Sequence, residues 1–243
     1  MFHVAGKGIE SMIQILLVED DDHIAQIISH YLTAEGEYEV TRARNAQEAL
    51  QMARSLFDII LLDVVLPDSS GIEVCEKIRE WHNCPIIFLS CLDDSDTIVK
   101  ALQTGGDDYL TKPFDNKVLI ARVQANLRRA NAAPQLVGQN TLVCAGFTLN
   151  ANTHMVERDG DTYPLASIEY QLLCFLMQHP NQYFTAAELY KKIWGKDSFG
   201  DVRTVLVHIH NIRKKIETDY RNPRYLKNTA GKGYIFYPNG ASL

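Results

Sequence analysis

Through the first half of the chain, short apolar runs alternate with apolar residues spaced three and four apart. The runs are Ile13–Val18, Tyr38–Thr41, Phe57–Asp63, Pro85–Ser90 and the shorter Tyr109–Thr111. Between them, Ile24, Ile27, Ile28, Tyr31 and Leu32 fall on one helical stripe, as do Ile72, Cys75, Ile78 and Arg79. Strands alternating with helices predict βαβ units and a parallel sheet, and near-continuous apolar strands predict that both faces are covered. Five strands and five helices make an α/β flavodoxin-like (βα)5 domain over residues 12–131, ending in a helix from about Asp115 to Ala130. In such a sheet the active crevice lies at the carboxyl ends of the strands.

After Pro134 the rhythm changes. Thr141–Leu149 and His154–Tyr163 read as hairpin strands turning at Asp159-Gly160. Three helical patterns follow: Ser167–Gln178 behind a serine cap, Thr185–Trp194 stopping at Gly195, and Asp201–Glu217. A final hairpin joins Tyr225–Thr229 to Tyr234–Tyr237. This order predicts an α+β winged helix over residues 140–240, with 132–139 as linker. Residues 1–11 are expected to be a disordered extension, with Met12 as the natural start.

Composition refines this picture. No apolar run approaches the ~20 residues of a membrane helix. Five scattered cysteines without a C-x-x-C argue against a disulfide framework or zinc site and for a cytoplasmic protein. The net charge of −6 hides a split. Residues 1–131 carry 12 Lys+Arg against 21 Asp+Glu, whereas residues 132–243 carry 12 against 9. An acidic half joined to a mildly basic one suggests two tasks, one of which meets a polyanion.

The strand ends carry the candidate chemistry. Glu19 and Asp20 follow the first strand and Asp63 closes the third, so three carboxylates converge on one edge. Two carboxylates ~4 Å apart repel by about 4 kcal/mol at an effective dielectric of ~20, so the cluster calls for a cation. A hard oxygen site with few protein ligands suits Mg²⁺. Taken singly, each acid is more simply a solvated strand end. Ser90 and Lys112 at the same edge shift the balance toward phosphoryl transfer, with Asp63 as nucleophile and Ser90 and Lys112 holding phosphoryl oxygens. On the helix Asp201–Glu217, at about 100° per residue, Val205, Ile209, Ile212 and Ile216 form the core stripe. Arg203, Val207, His210, Asn211 and Lys214 fall opposite, flanked by Arg213 and Lys215. Cations for phosphates and an amide for base edges suit a DNA major groove. A plain solvated helix face is the alternative.

Val18–Asp21 (VEDD), Asp63–Gly71 (DVVLPDSSG), Ser90 and Asp108–Phe114 (DYLTKPF) resemble the receiver domain of two-component response regulators. Ser167–Leu173 (SIEYQLL), Leu189–Trp194, Arg203–Ile209 (RTVLVHI), Arg213–Lys215 and Gly231–Tyr234 (GKGY) resemble the winged-helix effector of the OmpR/PhoB family. The resemblance implies a transcription factor rather than an enzyme. In it Asp63 accepts phosphate from a sensor histidine kinase, and Glu19, Asp20, Asp63 and the Val65 carbonyl hold Mg²⁺. Lys112, before a cis Pro113, binds the phosphoryl group, and the switch pair Ser90 and Tyr109 is pulled inward. It also implies Asp201–Glu217 as recognition helix and Lys232 as the tip of the wing. Further implied partners are a homodimer through the receiver, DNA with two half-sites ~10 bp apart and RNA polymerase. Ile98, Leu102, Asp108, Val118 and Arg122 map to the dimer face.

Several positions depart from the pattern. Ile98 and Val118 replace a basic–acidic pair, which predicts an apolar contact that dimerises the receiver without phosphate. Leu206 stands where aspartate is usual. His210, Asn211 and Ala230 stand where arginines are common, which predicts fewer phosphate contacts. Cys91 replaces a small alanine. Two other classes remain: an aspartyl-nucleophile phosphatase, which would want an acid where Val65 stands, and a regulator that dimerises and binds DNA without phosphorylation.

Overall fold

A computed structural model describes residues 12–131, 141–144, 146–195 and 202–241. The expected N-terminal extension and linker lie outside these residues.

The first domain alternates β1 (Ile13–Val18), α1 (Asp22–Ala34), β2 (Tyr38–Ala43), α2 (Ala46–Met52), β3 (Ile59–Asp63) and α3 (Gly71–Arg79). It continues with β4 (Ile86–Ser90), α4 (Ser95–Gln103), β5 (Asp108–Thr111) and α5 (Asn116–Asn131). The strands form one parallel sheet in the order β2-β1-β3-β4-β5. Every residue of β3 and β4 is buried, as their unbroken apolar runs require. Alternate strand residues feed two cores. Leu16, Ile60, Leu62 and Phe88 pack toward one layer of helices, and Ile15, Leu17, Ile59 and Leu61 toward the other. Asp21 caps α1 by accepting from the His23 and Ile24 amides, as its position predicts.

The second domain starts with four short antiparallel strands rather than the two long ones expected: β6 (Thr141–Cys144), β7 (Phe147–Asn150), β8 (Met155–Arg158) and β9 (Asp161–Pro164). The pattern hid two turns. Gly146 at φ +88 folds β6 onto β7. The Asn150 side chain accepts from the Asn152 and Thr153 amides, ending β7. The Asp159-Gly160 turn is as predicted, with φ +54 and +90. Next come α6 (Ser167–Gln178), α7 (Ala186–Trp194), α8 (Arg203–Ile216) and the wing, β10 (Leu226–Thr229) with β11 (Gly233–Phe236). Gly233 is obligatory, because a Cβ there would lie 2.2 Å from the Phe184 carbonyl oxygen.

Thr185 caps α7 reciprocally with Glu188. The cap expected of Ser167 is corrected. Ser167 is already helical, and the N-cap residue is Ala166, which has no acceptor side chain.

The missing cap comes from the other domain. Asp107, in the turn before β5, is fully buried, and its Oδ1 accepts from the Ile168 amide of α6 at 2.8 Å. Its Oδ2 accepts from Arg79 Nη2 at 2.7 Å and the Ile86 amide at 2.8 Å. Two more helix ends are completed across the boundary. Asn211 of α8 donates to the Leu102 and Gln103 carbonyls at the end of α4, and Arg129 of α5 donates to the Trp194 carbonyl at the end of α7. Val207 of α8 joins the receiver core itself.

His208 sits in this seam, fully buried, 5.7 Å from the Trp194 ring. Neither ring nitrogen has a hydrogen-bond partner among the described residues. Burial, aided by the Lys215 and Arg129 charges, pushes its pKa down to about 4. The native histidine therefore resists a proton that the unfolded one accepts near 6.5. This contribution is intact at neutral pH and is lost as pH falls from 6.5 toward 4. Between pH 7 and 5 the loss should be ~2 kcal/mol. Urea unfolding at the two pH values should show this drop in the natural chain, and His208→Phe should lack that share of it.

Candidate functional site

The parallel register brings the β1 and β3 ends side by side, Val18 opposite Leu62. The next residues, Glu19 and Asp63, therefore meet. Oxygens of Glu19, Asp20 and Asp63 all lie within 4.8 Å of one another, with Glu19 and Asp63 buried and Asp20 exposed. Lys112, after β5, reaches between the two buried acids. Its Nζ lies 2.6 Å from Glu19 Oε2 and 2.5 Å from Asp63 Oδ2.

Burial pushes the Glu19 carboxyl up in spite of Lys112. Burial also works against the Lys112 charge, but the hydrogen bonds to Asp63 and Glu19 outweigh it and hold its pKa up. One ammonium thus neutralises part of a site with three acids. The donor set of carboxylate oxygens, one of them open to solvent, fits a hard divalent cation. Gly71 makes the close approach behind Asp63, where a Cβ would lie 1.9 Å from its carbonyl oxygen. Val65 is exposed, and its amide donates to Asp63 Oδ1 at 2.9 Å.

Ser90 is buried at the end of β4, its Oγ accepting from the Leu92 amide. Tyr109 differs from expectation. It is already buried, with its hydroxyl donating to the Leu92 carbonyl at 2.7 Å and its ring against Phe88. The inward pull expected of the switch pair has no outward starting point here, because the phenol is tied to the loop before α4. Burial pushes its pKa up. The Lys112–Pro113 peptide is cis, as expected.

The residues expected on a dimer face lie together on α4, β5 and α5. Ile98, Asp108, Val118 and Arg122 line one groove, with Arg122 Nη1 2.6 Å from Asp108 Oδ1. Leu102 is buried. Thr204 of α8 reaches the same groove.

The DNA-contact residues divide. The sequence reading placed Val207 and Asn211 on an outward face, yet they are only 7% and 5% exposed. The helical wheel separates α8 residues by their angle to their own core and carries no information on a second domain, and here that domain covers the other side. Arg213 donates to the Leu226 carbonyl, and Lys215 pairs with the fully buried Glu169 at 2.6 Å, so both hold the winged helix together. His210 is half-buried against Tyr220. Arg203, Lys214 and Lys232 are exposed. Sequence reasoning missed Asp107, Arg79 and His208. The one available signal was Val207, an apolar residue on a face assigned to solvent and phosphate.

The comparisons with known proteins agree with this geometry. The response regulator receiver domain family matches residues 15–124, and the family described as transcriptional regulatory protein, C terminal, matches residues 160–236. The chain is 38% identical to the transcriptional regulatory protein YrkP of Bacillus subtilis (strain 168), covering 92% of this chain and 97% of that one. It is 35% identical to YvrH of the same organism, covering 93% and 95%. A solved structure of a RitR variant superposes with a TM-score of 0.77 at 26% identity, covering 92% of this chain and 98% of that one. DrrB, a Thermotoga maritima OmpR/PhoB homologue, gives 0.50 at 31% identity, covering 93% and 100%. Among the described residues no helix is long and apolar enough to cross a membrane. With both domain families matched in order and relatives aligned over nearly their whole length, the chain belongs to the OmpR/PhoB-type response regulators, transcription factors that join a receiver to a DNA-binding domain.

Proposed function

We propose that Asp63 accepts a phosphoryl group from a sensor histidine kinase in the cytoplasm, and that this releases α8 from the receiver to bind DNA. The carrying observation is Lys112, held between Asp63 and Glu19 at 2.5 and 2.6 Å. When Asp63 takes the phosphoryl group, its charge is shared with three new oxygens, and Lys112 must turn toward them. Glu19, Asp20, Asp63 and the Val65 carbonyl would hold Mg²⁺, which supplies charge neutralisation on those oxygens. The Ser90 hydroxyl, whose oxygen accepts from the Leu92 amide, can donate its own proton to a phosphoryl oxygen and move toward it, drawing Leu92 along. That rearranges the loop to which Tyr109 is tied, and α4 with α8 upon it follows directly.

In the docked arrangement Val207 and Asn211 cannot reach a groove, so DNA binding requires undocking. The RitR superposition supports docking as a stable arrangement, since one domain alone could not give a TM-score of 0.77 over 92% of the chain. The freed α4-β5-α5 face, with Ile98, Leu102, Asp108, Val118 and Arg122, would then pair with a second receiver. Two winged helices on neighbouring half-sites gain effective concentration from that pairing, and RNA polymerase is the expected downstream partner. A phosphorylation-independent regulator is the second reading, favoured by a Tyr109 that is already inward.

Incubation with a small phosphodonor and Mg²⁺, followed by intact-protein mass measurement, should add one phosphoryl group. Asp63→Asn should abolish the gain and Asp20→Asn should greatly slow it. Labelling of Asp63→Asn at the natural rate would remove Asp63 as acceptor.

Val99 of α4 lines the seam against Val207 from the receiver side. Val99→Glu should raise DNA affinity without phosphate by about tenfold, the factor by which Kd is inflated when only ~10% of molecules are open. Titration of the full chain with DNA checks this.

A further inference from the structure

Away from the phosphoacceptor pocket, a cavity of about 420 Å³ opens where the end of α5 meets α6 and α7. Its size falls within the ~300–1,000 Å³ of small-molecule sites. Arg128 and Arg129 enter from the receiver, and Lys192 enters from the winged helix. No described lining residue is acidic. Gln171 and Gln178 supply amides, and Phe175 and Ile193 supply an apolar wall.

One lining residue, Arg129, carries a buried nitrogen, Nη2, without a hydrogen-bond partner among the described residues. Arg129 is only 8% exposed. It spends one donor on the Trp194 carbonyl, and its guanidinium lies 6.0 Å above the Trp194 ring. Those contacts offer no full charge to balance the guanidinium, and burial holds its pKa below the usual value. The nearest carboxylates, Asp107 and Asp108, attract the guanidinium but are already bound to Arg79 and Arg122, so a buried donor of Arg129 stays unmatched, which native interiors seldom keep. The Arg128 guanidinium reaches to 3.8 Å from the position a Cβ would take at Gly195. The cations of both domains therefore converge on one opening.

We propose that this cavity is a binding site for a phosphorylated small molecule whose phosphates meet Arg128, Arg129 and Lys192 while an apolar or flat part lies against Phe175. A bound ligand would touch both domains and hold them docked. Binding stands on the cavity alone; the consequence for DNA rests on the reading that docking silences α8.

The test is calorimetric titration of the full chain, without Mg²⁺, with pyrophosphate and with ATP as probes and adenosine as control. Both phosphates should bind and adenosine should not, with ATP the tighter if the apolar wall contributes. Lys192→Glu and Arg128→Glu should each weaken binding by about tenfold, equal to ~1.4 kcal/mol. Lys214→Ala and Lys232→Ala, on the DNA side, should leave it unchanged, as should Asp63→Asn. Loss of binding only in the Lys214 and Lys232 variants, or no binding of either phosphate at millimolar concentration, would overturn the proposal. Phosphate binding that leaves DNA affinity unchanged would keep the site and refute only the docking consequence.

Discussion

The buried carboxylate of Asp107 is where the two domains become one structure. It neutralises Arg79, receives the Ile86 amide that opens β4, and receives the Ile168 amide that opens α6. A buried, unpaired carboxylate costs several kcal/mol, so this one needs all its partners. One partner belongs to the other domain. Asn211 on the end of α4 and Arg129 on the end of α7 repeat the principle. Helix ends leave backbone groups that must be satisfied somewhere, and here each domain satisfies ends belonging to the other. Undocking does not leave these groups bare, because water replaces the partners.

The same seam explains why the recognition helix carries two kinds of residue. Val207 and Asn211 are buried against the receiver, whereas Lys214 and Arg203 stay exposed at its edge, Arg203 donating to Ser95 of α4. On the proposed reading, a face that packs against the receiver in one state and a groove in the other must carry no charge that docking would bury unpaired. Val207 and Asn211 meet that condition, and Asn211 stands where arginine is common in the family. A buried arginine at position 211 would need a carboxylate partner on α4, and the end of α4 offers only carbonyls.

The acidic pocket was legible because a parallel sheet places the residues at the ends of β1, β3, β4 and β5 on one edge, in an order that the apolar runs declare. Glu19, Asp63, Ser90 and Lys112 follow from that geometry and sit where it put them. The winged helix was legible down to its Asp159-Gly160 turn. Two turns inside the first sheet of the winged helix, at Gly146 and Asn150, were hidden, and so was most of what depends on the second domain. Hydrophobic periodicity reports the direction of a helix's own core, so Asn211 looked like a base-reading amide and Ser167 like a cap. Asp107, just before β5, carried no sequence signal of its role. Its neighbour Asp108, expected on the dimer face with Arg122, pairs with that Arg122 within the same chain.

The central claim, that the acidic pocket controls whether α8 is covered, is tested most directly by single-molecule energy transfer on the full chain. Dyes would be placed on exposed positions of each domain, such as Ser55 and Asn239. At picomolar concentration dimerisation does not contribute. The account predicts one dominant docked population without ligand and a second, separated population when beryllofluoride and Mg²⁺ are added, absent in Asp63→Asn. An unchanged docked population at saturating beryllofluoride, or separated domains before any is added, would contradict it.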